Sequence, residues 1–593
     1  MVETSEARRP LIIIGGDGMD AALTERWMEA GHLPNLSRLS SRGAYSRLGT
    51  TFPAESPVAW STFITGLNPG RHGIFGFLHR DPHTYLPRVG MVTLGDEHAM
   101  GHREGTPFWE HAGRRGVRVS LVRVPVTFPP EAVNGVVVSG LGMPDLLMSW
   151  GTSSSYTDEP GRRSRRRVQL EWLGEVAMTQ VYGPGEATLP MRLTRDRRSQ
   201  TLSVEVGEAS VTLRRREWSP WLSLGFGASD REIHGICRFC LLSLEPHVNL
   251  YLSPIHQHPL HPVYPFTYPA GLAGRLVEDT GLFPTLGWAE DATGLNAGYL
   301  DERAFLEQAR YMQHEHEKMT RWIWKHESPD LLVTVTGMTD RIGHVFLNRD
   351  EGEEHADALL ECYRCFDSFV GRLVDIVGPD ATVMVLSDHG FAPVHHLIHL
   401  NAWLRDNGYL AMKEDASGAR RPFWSGVDWR RTRAYALGLS HIYVNLQGRE
   451  RLGIVSPGAE YSQLCNEIAA KLSRLKEPGS GDSVVSRILP RDELYTGPYV
   501  DRSGDLVIAF RRGYRTSEQT AVGGVPAQVV VPSRRKSWGA DHCSVDPAEV
   551  PGVLFCNRPL RLAQPHLIDI APTALELMGV PVPAELEGRS LVG

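Results

Sequence analysis

Short apolar, β-branched runs alternate with longer stretches in which apolar residues recur every three to four positions, and this texture occupies both ends of the chain. Leu11–Gly15, Val117–Val124 and Gly135–Ser139 read as strands, and Ala21–Ala30 reads as a helix. After a break the texture resumes: Asp301–Lys325 and Glu354–Val377 are patterned as long helices, and Leu331–Thr336 and Ala381–Leu386 as buried strands. Strands apolar along their whole length, each followed by a helix, predict an α/β fold. Its central sheet is mostly parallel, with helices on both faces.

The middle of the chain is patterned differently. Thr201–Leu213 and Val248–Leu252 alternate apolar and polar residues as antiparallel strands do, between Arg- and Ser-rich segments and a Pro/His-rich stretch, His256 to Pro269. A later mixed segment holds helix-patterned Tyr461–Leu475 and strand-like Leu506–Phe510, and the tail closes on a helix over Leu567–Met578, stopped by Gly579-Val580-Pro581. The expected organisation is a catalytic core in three parts (1–143, 296–400 and 538–593). A β-rich cap is inserted at 144–295, and a smaller mixed α/β subdomain or lid at 401–537.

At 593 residues the chain exceeds what a single core supports. Its formal charge of -7 gives no reason to expect a nucleic-acid duplex as partner. The basic run Arg162-Arg163-Ser164-Arg165-Arg166-Arg167 reads as a solvated loop. No apolar run approaches the roughly twenty residues of a membrane span, and the polar start, Met1 to Pro10, is not a signal segment. The expectation is a cytoplasmic protein with no membrane partner. Seven cysteines, an odd number in a long chain, argue for buried free thiols over a disulfide framework.

Chemistry enters where the strand-like runs end. Asp17 stands in Gly15-Gly16-Asp17-Gly18, Asp340 and His344 in Asp340-Arg341-Ile342-Gly343-His344, and Asp388 and His389 in Ser387-Asp388-His389-Gly390; His542 follows Ala540-Asp541. Asp and His are the side chains that hold zinc or manganese, and the edge where strands end is where α/β sheets build sites. Asp340 and His344, four residues apart, face one way on a helical turn. Ser56 precedes a helix running to about Thr65, with Pro57 in its first turn. Ser56 is expected to be the N-cap, leaving the N–H groups of Val58 and Ala59 to face a phosphate. A metal beside Ser56 would deprotonate its hydroxyl and make it a nucleophile. Arg71 and Arg341 are further candidates to approach the phosphate.

Taken in order, these residues resemble the alkaline phosphatase superfamily, and most closely its type I phosphodiesterase/nucleotide pyrophosphatase-like branch. The likeness covers roughly residues 11–140, 304–401 and 538–591. It includes Thr65-Gly66-Leu67-Asn68-Pro69-Gly70-Arg71-His72-Gly73-Ile74, Asp569-Ile570-Ala571-Pro572-Thr573 and Leu586-Glu587-Gly588-Arg589-Ser590-Leu591. The resemblance implies an alkaline-phosphatase-like fold and two divalent ions, zinc first and manganese second. One ion would be held by Asp17, Asp388, His389 and Ser56, the other by Asp340, His344 and His542. It implies a phosphohydrolase that cleaves a phosphodiester or a nucleotide pyrophosphate-type bond of a small substrate through a phosphoseryl intermediate. Three alternatives stay open: a phosphomonoesterase, a cofactor-independent phosphomutase and a non-catalytic binding protein. The oligomeric state, including a homodimer, also stays open. Ser56 departs from the threonine usual in the branch, and Pro57 removes an N–H often used there. A sulfatase is set aside, because Ser56-Pro57-Val58-Ala59-Trp60 lacks the C/S-x-P-x-R pattern.

Overall fold

The computed structural model describes residues 9–95, 98–161, 163–227, 232–350, 352–413, 423–533 and 538–592; Arg162 of the basic run and residues 1–8 of the polar start lie outside these. The chain divides into two compact units. One comprises Met1–Thr93, Gly101–Val117 and Gly343–Gly593, and the other Leu94–Met100 and Arg118–Ile342.

In the first unit four strands lie in the order Ala44–Leu48, Gly552–Cys556, Thr382–Leu386, Leu11–Gly16. The two motif-bearing strands are buried throughout and pair in parallel, with Gly15 opposite Leu386. Asp17 and Asp388 each lie two residues beyond that matched pair, so parallel register alone delivers both carboxylates to one edge of the sheet. The other two strands run antiparallel to their neighbours. Gly552 is required where it stands, since a Cβ there would lie 2.2 Å from the Ser387 carbonyl oxygen.

A second group of strands in this unit is Gly513–Thr516, Ala392–Ile398 and Val530–Pro532, with Ala540–Asp541 pairing Ala392 opposite Asp541. That short pairing sets His542 beside the turn after Asp388. The segment expected as a mixed subdomain holds an antiparallel sheet, Ala434–Ala436, His441–Val444, Leu506–Phe510 and Val485–Pro490. A helix over Ala459–Leu472 buries Leu464, Ile468 and Leu472 in the same core as Ile442, Val444 and Ile508.

The second unit has strands in the order Leu331–Thr336, Val119–Val124, Gly135–Ser139, Thr267–Tyr268, the first two pairs parallel and the last antiparallel. Each unit thus combines parallel pairs with antiparallel ones. The β-rich middle forms a five-stranded antiparallel sheet from Trp172–Leu173 to Ala209–Arg214 and a four-stranded sheet containing Ser154–Thr157 and Asn249–Leu252. Thr201–Leu213, one alternating run in the sequence, is two strands, Thr201–Val206 and Ala209–Arg214, because Gly207 takes φ +56° in a two-residue turn. Tyr156, Leu193, Leu202, Phe226 and Leu241 meet in one apolar core there. The basic run lies at the surface: Arg163, Arg165 and Arg167 pair with Glu171, Glu186 and Glu159.

The long helix spans Glu302–Glu327, capped by Asp301, whose carboxylate accepts from the Ala304 N–H. All seven cysteines are free thiols. Among the described residues no helix is long and apolar enough to cross a membrane.

Candidate metal centre

Two loops of the first unit are knotted together by hydrogen bonds between main chain and side chain. The Gly18 N–H donates to Asp388 Oδ1 (3.2 Å), and the Met19 N–H donates to Ser387 Oγ (2.8 Å). Ser387 in turn donates to the His389 carbonyl (2.6 Å). Gly18 can turn this sharply because it sits at φ +70°. Asp20 closes the arrangement, capping the next helix through the Leu23 N–H (2.9 Å) and accepting from the Phe391 N–H (3.3 Å).

The result is a buried group of Asp17, Asp388 and His389 whose ligand atoms all lie within 4.8 Å of one another. His389 Nε2 stands 3.6 Å from Asp17 Oδ1, 3.2 Å from Asp388 Oδ2 and 3.1 Å from Ser56 Oγ. The serine hydroxyl therefore lies beside the three residues that the family resemblance implies around the first ion.

Every histidine of the centre is oriented in the same way. His389 Nδ1–H donates to the Gly390 carbonyl (3.1 Å), His344 Nδ1–H to that of Ala540 (2.9 Å), and His542 Nδ1–H to that of Ala54 (2.6 Å). A carbonyl oxygen only accepts, so each Nδ1 carries a proton, and Nε2 is the ring nitrogen that would meet an ion. The rings lie close: His389 stacks on His542 at 3.5 Å between centroids, and His542 lies 5.2 Å from His344. Phe391 presents its edge or face to all three, at 4.8 to 5.9 Å.

Histidines held through Nδ1 and closely spaced buried carboxylates form the donor set that a divalent cation fits. The ion relieves the repulsion and the desolvation that crowd two carboxylates. Which residues could hold a second ion follows from the helix Met338–Phe346, which presents Asp340 and His344 one turn apart.

Ser56 opens a helix over Ser56–Thr65 that is buried along all ten residues. Two expectations are corrected here. The N-cap is Glu55, not Ser56: Glu55 is extended (φ -93°, ψ 131°), and its carbonyl accepts from both the Val58 (2.8 Å) and Ala59 (3.0 Å) N–H groups. Those two amides are thus engaged within the helix and do not face a phosphate. Arg71 also turns elsewhere, because the turn Pro69–His72 is fastened to the carboxy-terminal tail. Its Nη1 donates to the Glu585 carbonyl (2.8 Å) and lies 3.8 Å from Glu587, while Asn68 bonds the same glutamate. His72 of that stretch is a core residue whose Nε2–H donates to Thr62 Oγ1 (3.0 Å).

In the second unit Arg341 is buried, with Nη2 2.8 Å from Asp340 Oδ2 and its guanidinium 3.6 Å above the Trp288 ring.

Several residues matter that the sequence did not single out. Trp60, one turn after Ser56, donates Nε1–H to Asp17 Oδ2 (2.8 Å). The Glu55 carboxylate accepts from the Phe77 N–H (2.7 Å); burial pushes its pKa up to about 8, against that bond and nearby His542. Asp541, next to His542, pairs with Arg515 and accepts from Trp538 Nε1–H (3.0 Å). Burial alone would raise the Asp541 carboxyl, but Arg515, His344 and His542 override it and hold it far below the usual range. Of these, only Trp60 left a sequence signal, its i+4 spacing from Ser56.

The family model of type I phosphodiesterase / nucleotide pyrophosphatase matches residues 11–214 and 263–527. The match includes Asp17, Ser56, Asp340, His344, Asp388 and His389, and stops short of His542. No curated protein matches the chain. Among solved structures, phosphonoacetate hydrolase from Sinorhizobium meliloti 1021 in complex with phosphonoformate aligns over 97% of this chain and 96% of its own, at 14% identity and a TM-score of 0.47. The same enzyme with phosphonoacetate aligns over the same shares at 14% identity and a TM-score of 0.46.

Proposed function

Because this chain belongs to the type I phosphodiesterase / nucleotide pyrophosphatase family, a family of phosphoester hydrolases, we propose that it cleaves a phosphodiester or nucleotide pyrophosphate-type bond of a small substrate with Ser56 as nucleophile. The observation that carries this reading is the placement of Ser56 Oγ 3.1 Å from His389 Nε2, among Asp17 and Asp388 at the matched ends of two parallel strands.

Asp17, Asp388, His389 and Ser56 would hold one divalent ion. His344 and His542, with Asp340 on the same helical turn as His344, would hold a second. When bound, such ions supply Lewis acidity and charge neutralisation at the phosphoryl oxygens. The donor types suit zinc first and manganese second.

The residues divide the work. As Ser56 Oγ bonds to phosphorus, the P–O bond to the leaving group breaks with its electron pair on the leaving oxygen, and the Oγ proton passes through solvent water to that oxygen. His389, its ring fixed by the Nδ1–H bond, would hold the ion beside Ser56, and Trp60 keeps Asp17 from rotating. Water then attacks the phosphoseryl ester from the opposite side and returns the proton to Ser56. The buried helix behind Ser56 denies the nucleophile freedom to retreat, which is the positional contribution to rate.

The experiment is hydrolysis of an aryl phosphodiester against an aryl phosphomonoester by wild type, Ser56→Ala and chelated protein. The proposal expects diester preference and near-complete loss in the latter two. A preference for the monoester would favour the phosphatase or mutase alternative. Unchanged turnover in Ser56→Ala would remove the mechanism.

A further inference from the structure

We propose that Trp538 and Asp541 are positioning residues that hold His344 and His542 in ligand geometry, an inference resting on the assignment of those histidines to the second ion. Trp538 and Ala540, two residues apart, hold His344 from one segment. Trp538 lays its indole on the imidazole at 4.0 Å between centroids and 23° between planes, and Ala540 accepts the Nδ1–H bond (2.9 Å). The stack fixes the plane of the ring and the hydrogen bond fixes its rotation in that plane. Phe391 meets the same imidazole at 89° and 4.8 Å, so the ring is gripped by two aromatic side chains.

Asp541 joins this grip to the second histidine. Its Oδ2 accepts from Trp538 Nε1–H (3.0 Å), while its Oδ1 accepts from the main-chain N–H groups of His542 (2.7 Å) and Cys543 (2.9 Å). Arg515 pairs with the same carboxylate and is itself paired with Glu518. Asp541 is further pinned by its strand pairing opposite Ala392. One carboxylate thus ties the indole over His344 to the backbone that carries His542, so displacing either end disturbs both rings. Trp538 is only partly buried, unlike the fully buried Trp60 and Trp109. Its stack on a ligand histidine at the rim of the centre gives it a role that core packing would not require.

The brace acts on metal affinity, so the test reads metal. Cobalt(II) is titrated into chelated wild type, Trp538→Ala and Trp538→Phe, following binding stoichiometry, affinity and the visible cobalt spectrum. Outer partners of ligand histidines typically contribute about 10–100-fold in affinity. Trp538→Ala is expected to weaken the second cobalt by that factor and alter its spectrum, leaving the first unchanged. Trp538→Phe, which keeps a flat face on His344 but loses the N–H to Asp541, is expected to recover only part of the loss. A Trp538→Ala protein that binds both ions as wild type does, or loses both equally, overturns the brace. A wild type that takes up only one ion overturns the two-ion assignment itself, and the brace with it. Thermal melts of the chelated variants separate either result from failure to fold.

Discussion

Replacing Trp60 by phenylalanine removes one N–H from the centre and little else. Trp60 is fully buried one turn after Ser56, its Nε1 is 2.8 Å from Asp17 Oδ2, and its ring meets Phe63 edge-on at 5.3 Å. A phenyl ring keeps most of the aromatic contact, but the hydrogen bond to the carboxylate is lost. Bonds to charged groups contribute about 1.5–3 kcal/mol. Trimming a buried indole to a phenyl adds roughly 1 kcal/mol for the space left behind. The expected loss in stability of the chelated protein is therefore about 2.5–4 kcal/mol, read by urea unfolding. Asp17, freed to rotate, should also hold the first ion about 10–100-fold more weakly, with the second ion unaffected. Loss below about 0.5 kcal/mol together with wild-type affinity for the first ion would refute the claim that Trp60 orients Asp17.

Three further outcomes follow from the same geometry. His441 is buried, neither ring nitrogen finding a hydrogen-bond partner among the described residues, and burial aided by Arg80 pushes its pKa down to about 4. A depressed folded pKa gives stability that is present above the unfolded value near 6.5 and lost as pH falls toward 4. Its replacement by leucine should flatten the acid limb of a stability–pH profile by roughly 3 kcal/mol, and an unchanged slope would contradict this. Gly552→Ala drives a Cβ into the Ser387 carbonyl and should destabilise the turn bearing Asp388, lowering thermal stability and first-ion affinity together; wild-type values for both would count against it. Arg71→Ala should lower stability by about 1 kcal/mol without raising KM, since Arg71 fastens the tail through Glu585 and Glu587; a selective rise in KM would return it to the phosphate site.

Much of the centre was legible because it depends on local signals. Asp17 and Asp388 follow wholly apolar strands, and once those strands pair in parallel their register brings the two carboxylates together. Asp340 and His344 share a helical turn that their spacing announces. What escaped depends on contacts remote in sequence. The cap of the Ser56 helix moved to Glu55 because the Glu55 side chain is held by the Phe77 N–H, twenty-two residues on, while its carbonyl takes both following amides. The roles of Trp538, Asp541 and Arg515 arise from the pairing of Asp541 with Ala392, which no periodicity displays. Even the motifs behind the family resemblance divide this way. The Asp and His stretches build the centre, whereas Asn68, Glu587 and Asp569 fasten the tail: Asp569 accepts from the Arg589 and His566 N–H groups.

The central claim is that Ser56 carries the phosphoryl group in turnover. Acid-quenching the metal-loaded enzyme during hydrolysis of a labelled aryl phosphodiester, followed by peptide mass spectrometry, tests it directly. The account predicts a phosphoryl ester on the peptide containing Ser56, absent from Ser56→Ala and from chelated protein. Sustained turnover with no adduct on Ser56, matched by an active Ser56→Ala, would contradict it.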